Sequence, residues 1–303
     1  MIDFKPLGAE QKECYDGYLR TAAHRGCGYS FVNLYMWGRQ KVGIVGEHLV
    51  VFSQFNRKSV YSFPMGQGDV KPAIDAIIDD ARERGIPCRL IALTEEDCGL
   101  LEILYPGKFR FHNDRDSYDY VYDIHALADL KGRKYQKKRN HLNRFRQENP
   151  RFEMAVITQD NLPAVKRLVE KWYALRLQAD PRGDFHMEQA ALKKALENMD
   201  KLELEGLLLS TEAGPVAMTL GSFLSDDTFD VHFEKALDIA DGAYPAINNG
   251  FANYLREKYP QLRYLNREDD MGIDGLRKAK ESYCPHHMVE KHWACLLEDG
   301  YDY

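Results

Sequence analysis

Between Phe229 and Glu234, the apolar residues Phe229, Val231 and Phe233 alternate with Asp230, His232 and Glu234. A period of two predicts a strand with one apolar and one polar face. A loop containing Gly242 follows, and Pro245 suits a first helical turn. Ile247, Phe251 and Leu255 recur every four residues, which predicts a helix with one buried stripe and with Asn248, Asn249 and Arg256 on other faces. Leu262 to Leu265 reads as a short buried strand. Asn266-Arg267-Glu268-Asp269-Asp270 comes directly after it, then Gly272 and a second helix that ends by Pro285. Charges of both signs at the C-terminal end of an interior strand are costly to bury, and in open α/β sheets ligands bind at that position. This segment is the expected centre of chemistry.

Upstream, residues 1–30 read as helix and loop, and Phe31–Tyr35, Lys41–Val45, Leu49–Phe55 and Val60–Phe63 as strands, with Gly46-Glu47-His48 as a hairpin turn. Val70–Arg84 predicts a helix with Ile74, Ile77, Ile78 and Ala81 on one face. Arg89–Leu93 reads as a strand, Glu95–Leu104 as a helix, and Phe109–His112 and Tyr118–Tyr122 as strands. Phe152–Ile157 is a strand, Leu162–Ala179 a helix with Trp172 and Leu175 inward, and Met187–Met199 another helix. Leu204–Ser210, Pro215–Phe223 and Thr228–Glu234 form a meander, and Met288–Leu296 a last strand completing the second half. The order, a meander and then helix–strand–helix–strand in each half, resembles the GNAT-type acyltransferase fold in tandem. The expected class is therefore α/β (α+β), two GNAT-like domains, each a mixed, mostly antiparallel sheet flanked by helices. Their expected bounds are 1–128 and 151–303, with a linker helix over 129–150 and the active cleft in the second.

The 303 residues suit two domains, and 44% apolar content excludes wholesale disorder. Six dispersed cysteines, with no CxxC pair, suit reduced thiols better than disulfides or zinc. No basic-then-apolar leader opens the sequence, and no apolar run approaches the roughly 18 residues of a membrane span. A cytoplasmic protein without a transmembrane segment is expected.

Charge then changes the picture. From Lys131 to Arg151 there are nine Lys or Arg against one acid, Glu148, so this window carries +8 in a chain of net charge −6. Tyr135, Leu142 and Phe145 mark a narrow apolar stripe, with Arg133, Lys134, Lys137, Lys138 and Arg139 among the cations beside it. Such a helix can dock by its apolar edge and offer cations to phosphates of tRNA, coenzyme A or an anionic lipid surface. It can equally pair with acidic surface on another domain.

In the cleft segment, Glu234 is a candidate general base or a salt-bridge partner of Lys235 or Arg267. His232 shares its side of the strand and can orient it or remain a polar-face residue. Asp269 and Asp270 can bind a substrate ammonium or cap the next helix. Arg267 and Arg277 can hold a carboxylate or phosphate, and Tyr244 lies in the loop leading to Asn248 and Asn249. That asparagine pair is poorly suited to a helix on propensity grounds, which favours a functional reason. Glu234, Asn248, Asn249 and Asp269 are thus the catalytic candidates; Tyr244, Arg267, Asp270 and Arg277 are the substrate-binding ones. His286 and His287 lack further ligands at metal-type spacing, so no metal centre is expected.

At GRKYQKKRNHLNRF, and at HFEKALDIADGAYPAINNGFANYL with YLNREDDMGIDGLRKAKESYCP, the chain resembles a bacterial family grouped with the C-terminal domain of phosphatidylglycerol lysyltransferase. The resemblance implies two acyltransferase-type domains and transfer of an aminoacyl group from a charged tRNA to a lipid, a peptide or a small amine. The alternatives are a CoA-dependent N-acyltransferase using acyl-CoA, and a non-catalytic ligand-binding module on the same fold. The loop 235–244 offers only Gly242-Ala243 where acetyl-CoA enzymes show a glycine-rich pyrophosphate cradle, and the proline at 245 donates no N–H.

Overall fold

The structure is a computed structural model that describes residues 1–22, 26–38, 40–55 and 58–297. The chain begins with β1 (Lys5–Pro6), α1 (Lys12–Leu19), α2 (Phe31–Trp37), β2 (Lys41–Val45), β3 (His48–Phe55), β4 (Lys58–Ser62) and β5 (Met65–Gly66). Next come α3 (Lys71–Arg84), β6 (Arg89–Leu93), α4 (Glu95–Leu104), β7 (Phe109–Asn113), β8 (Asp119–Asp123), α5 (Ile124–Asp129) and α6 (Gln136–Glu148). The chain continues through β9 (Glu153–Val156), α7 (Leu162–Ala179), α8 (His186–Glu197), β10 (Glu205–Thr211), β11 (Gly214–Phe223) and β12 (Thr228–Ala236). It ends with α9 (Ala243–Lys258), β13 (Tyr264–Asn266), α10 (Asp274–Glu281), β14 (His287–Val289) and β15 (His292–Leu296).

One sheet runs β1-β2-β3-β4-β6-β15-β7, with β5 on β3; the other runs β14-β8-β13-β12-β11-β10-β9. Both are mixed and mostly antiparallel, with parallel pairing at β4–β6 and β12–β13. Two segments differ from expectation, one in kind and one in continuity. Residues 31–35 are helical in α2, not a strand: Ser30 Oγ accepts from Asn33 N at 3.3 Å as an N-cap, and Phe31 and Tyr35, four apart, stack with centroids 5.9 Å apart. Residues 288–296 are not one strand, because Glu290 and Lys291 break it into β14 and β15.

The compact units are discontinuous. Unit one comprises residues 1–119, 269–273 and 288–303; unit two comprises 120–268 and 274–287. This departs from contiguous halves over 1–128 and 151–303, because β15 enters the first sheet between β6 and β7, where Ala294 and Leu296 join Leu90, Leu93 and Phe109 in one apolar core. Tyr122 on β8 pairs with Leu265 on β13 in the second sheet.

In unit two, α9 buries Ile247, Phe251 and Leu255, and Phe251 packs edge-on against Phe229 of β12. Trp172 of α7 is buried, whereas Leu175, expected inward, is 39% exposed. The helix start of α9 is closed by α6. Gly242 has φ +81°, and a Cβ there would lie 2.5 Å from His141 O and 3.0 Å from Phe145 Cβ. Only glycine fits that turn and that close helix approach. Among the described residues, no helix is long and apolar enough to cross a membrane.

Candidate active site

The polar face of β12 carries the site. Glu234 lies opposite Thr219 of β11, and the parallel strand β13 delivers Arg267 one residue past its end. Arg267 N–H donates to Tyr120 O at 2.9 Å, which fixes its backbone beside the sheet. Its Nη2 donates to Glu234 Oε1 at 3.0 Å, and Asn248 Nδ2, from α9, donates to Oε2 at 3.3 Å. The side chains of Arg267 and Glu234 are 14% and 8% exposed, so this is a nearly buried ion pair. The guanidinium carbon sits 5.6 Å from the Tyr122 ring centroid and 5.0 Å from that of Tyr283.

Lys138 reaches the same cluster from α6, with Nζ 3.8 Å from the Tyr283 ring centroid. Burial, reinforced by the Arg267 charge, brings its ammonium down from 10.5 to about 8. Burial likewise raises the Tyr244 phenol above its ordinary value, with the Glu234 charge contributing. Arg267 Nη1, Asn248 Oδ1 and Thr219 Oγ1 are buried without a hydrogen-bond partner. Buried polar atoms are normally paired, so three unpaired ones around a single carboxylate mark a place prepared for a polar ligand. An anionic or carbonyl oxygen suits Arg267 Nη1, and an N–H or O–H suits Asn248 Oδ1.

The structure therefore gathers Glu234, Asn248, Arg267 and Lys138, with Tyr244 near enough to feel the Glu234 charge. Asn249 Nδ2 donates to Leu127 O at 2.9 Å and Ala128 O at 2.7 Å, a clamp on the end of α5. It lines a separate cleft of about 340 Å³ with Arg139, Asn143, Arg146 and Asn253. Asp269 and Asp270 fall in unit one. Asp270 is fully buried, accepts from Gly272 N at 2.9 Å and faces Arg115 at 3.6 Å, so it shapes a turn. Arg277 is half-buried on α10.

The five basic candidates divide as well. Arg133, Lys134 and Lys137 are exposed. Arg139 Nη1 instead donates to Leu130 O and, at 2.7 Å, to Gly132 O, satisfying carbonyls where α5 ends in a left-handed residue. Lys138 turns into the cluster. The sequence pattern missed Thr219, Tyr122 and Tyr283. Thr219 follows from pairing β11 with β12 in register, but nothing local announces the two tyrosines. One consequence of the Lys138 environment is measurable: labelling with acetic anhydride should show a half-maximal rate near pH 8. A midpoint near 10 would show that Lys138 stands in water instead.

Two mixed sheets with helices, repeated in tandem, define the class as a tandem GNAT-like acyltransferase fold. A tandem GNAT protein from the clavulanic acid biosynthesis pathway shares that fold, at TM-score 0.50 and 10% identity over the whole of both chains. The chain belongs to the phosphatidylglycerol lysyltransferase C-terminal family, whose model matches residues 19–295. A conserved protein of unknown function from Bacteroides thetaiotaomicron superposes at TM-score 0.92 with 36% identity, covering 98% of this chain and 100% of that one. L-PGS from Bacillus licheniformis superposes at TM-score 0.66 with 16% identity, covering 95% of this chain and 92% of that one. Among curated proteins, an uncharacterized protein of Mycoplasmoides gallisepticum is 23% identical over 179 residues, 58% of this chain and 55% of that protein. The chain thus spans about half the length of that relative. Family and fold point to an acyltransferase.

Proposed function

We propose that the protein transfers an aminoacyl group from aminoacyl-tRNA to an amine or hydroxyl acceptor, a lipid, a peptide or a small amine, in the Glu234 cluster. The observation that carries this reading is the set of unpaired buried atoms, Arg267 Nη1, Asn248 Oδ1 and Thr219 Oγ1, around a buried ion pair beside a lysine brought down to about 8. Attack on an aminoacyl ester forms a bond from the acceptor N or O to the carbonyl carbon and then breaks the ester C–O bond, releasing tRNA. Arg267 Nη1 holds the oxyanion that develops on the carbonyl oxygen. Neutral Lys138 takes the proton that the acceptor loses and, as the ester C–O bond breaks, returns it to the departing ribose oxygen of the tRNA. Glu234 keeps Arg267 in place, and Asn248 Oδ1 accepts from the nucleophile. Family membership and the exposed cations Arg133, Lys134 and Lys137 at the start of α6 favour tRNA as the donor.

A CoA donor fits less well. At the start of α9, Ala243 N–H is spent on Ala240 O at 3.0 Å and Pro245 has no N–H. The turn itself lies against α6, which leaves a pyrophosphate few backbone donors. The test is transfer of label from a mixture of aminoacyl-tRNAs into lipid, peptide and small-amine fractions, beside melting curves with CoA and acetyl-CoA. Label is expected in one fraction, with no rise in Tm on adding CoA. A stabilised protein with CoA and no label from any tRNA would hand the site to the N-acyltransferase reading.

A further inference from the structure

A second cluster sits earlier on β12. His232 is the extra residue of a β-bulge, since Leu220 faces Phe233 while Gly221 faces Val231. Bulges re-aim side chains, and they recur beside functional sites. The His232 side chain is 0% exposed, and its two ring nitrogens are engaged on different sides. Nε2 lies 2.9 Å from Ser222 Oγ on β11. Nδ1 lies 3.0 Å from Glu268 Oε1 and 3.6 Å from Asp230 Oδ2. One ligand atom from each of Asp230, His232 and Glu268 falls within 4.8 Å of the others.

Two carboxylates thus converge on one imidazole nitrogen in a buried place. A proton on Nδ1 can point along only one of those lines, whereas a cation between the three atoms serves both carboxylates and the ring. The spacing suits an ion. Metal–ligand bonds of about 2.0–2.2 Å around a tetrahedral centre put ligand atoms roughly 3.4 Å apart, between the two observed distances of 3.0 and 3.6 Å. The surroundings suit one too. A ligating histidine usually has its other nitrogen held by an oxygen, the part Ser222 plays here. Glu268 has φ +57°, uncommon for a residue other than glycine. That turn is held by Asn266 Oδ1, which accepts Glu268 N–H at 2.7 Å, and by Lys280 Nζ, which donates to Glu268 O at 3.1 Å and to Arg267 O.

We propose that Asp230, His232 and Glu268 form a binding site for one divalent first-row transition ion, Zn²⁺ or Mn²⁺, through His232 Nδ1 and one oxygen of each carboxylate. The nitrogen ligand disfavours Mg²⁺ and Ca²⁺, which take all-oxygen shells. Glu268 adjoins Arg267, so the ion fixes the turn that carries the guanidinium to Glu234. His232 and Glu268 are 36 positions apart, which is why no metal-type spacing shows in the sequence and why none was expected there. The site stands independently of the aminoacyl-transfer reading.

The full chain, stripped with EDTA and dialysed, is titrated calorimetrically with Zn²⁺, Mn²⁺ and Mg²⁺, with melting curves alongside. One equivalent of Zn²⁺ or Mn²⁺ is expected to bind with Kd of about 1 μM or tighter and to raise Tm, without saturable binding of Mg²⁺. Glu268→Gln keeps the side-chain shape and should weaken binding at least about tenfold, in line with the loss of a carboxylate ligand. Asp230→Asn serves if Glu268→Gln does not fold, and on the parent chain the paramagnetically shifted imidazole proton resonances of the Co²⁺ form report histidine ligation without any variant. The exposed pair His286 and His287, with Nδ1 atoms 2.9 Å apart, is the control site. Replacing both by Gln should leave the stoichiometry intact. The proposal is overturned by the absence of one-to-one binding, by binding that survives Glu268→Gln and Asp230→Asn unchanged, or by binding lost only with His286 and His287.

Discussion

Replacing Glu234 by Gln is expected to cut transfer roughly 100-fold or more and to cost about 3–5 kcal/mol of stability. The reason for both losses is the same. The carboxylate is the counter-charge of a guanidinium that is only 14% exposed, and removing it strands that charge between Tyr122 and Tyr283. The companion double variant, Glu234→Gln with Arg267→Met, separates folding from function. Removing a buried pair whole is often close to neutral for stability. The double variant should therefore regain most of the lost stability, short of about 0.5–2 kcal/mol from the stacked guanidinium. Transfer should stay lost, because Arg267 Nη1 no longer meets the developing oxyanion. Urea unfolding and label transfer on the parent and both variants measure the two quantities side by side. A double variant as active as the parent would remove the pair from the mechanism, and a fully stable Glu234→Gln would show that water reaches Arg267.

How much of this was legible beforehand depends on whether the signal was local. Arg89–Leu93, Glu95–Leu104 and Leu162–Ala179 match β6, α4 and α7 at both ends, because their signals are local: an apolar run in β6, a cap at Thr94 before α4, and a proline in the first turn of α7. Thr94 Oγ1 accepts from Asp97 N at 3.1 Å and Asp97 Oδ2 from Thr94 N at 2.9 Å, a reciprocal cap readable from four residues. The aromatic run 31–35 misled, since its β propensity was outweighed by the Ser30 cap and the packing of Phe31 and Val32 into the core. Where β15 goes was invisible, because its partners Leu90 and Phe111 are distant in sequence and its own residues fit an edge or a centre equally. At the candidate site, Glu234 is legible from the polar face of a strand with period two, Asn248 from an asparagine pair within a helix, and Arg267 from the charged run that follows β13. The sequence groups Lys138 with its neighbours as a phosphate-binding candidate, since a helix pattern shows which face a lysine occupies but not what lies opposite. Asp230 reads in the sequence only as a polar-face position, because Glu268 comes to it and His232 only once β12 and β13 pair in parallel.

The basic segment then yields a prediction sharper than charge counting allowed. Converting Arg133, Lys134 and Lys137 together to Gln is expected to weaken tRNA binding by roughly 10- to 100-fold near 0.1 M salt. It should also flatten the log–log salt dependence by about 2–3 units, at roughly 0.7–0.9 per lost phosphate contact. Their side chains are exposed, so stability should barely move, exposed charges contributing about 0–1 kcal/mol each. Arg139→Gln should behave in the opposite way. Its guanidinium spans Leu130 O and Gly132 O, and Leu130 sits at φ +49°, so its loss leaves carbonyls unsatisfied at a strained turn and lowers Tm with the salt slope intact. Lys138→Gln should leave both slope and binding near the parent and act on transfer alone, since its ammonium lies over Tyr283 inside the cluster. Salt titrations, melting curves and transfer assays on the three variants distinguish these behaviours. If the triple variant kept the parent's slope while losing stability, the start of α6 would be a structural brace and the donor's phosphates would have to be held elsewhere.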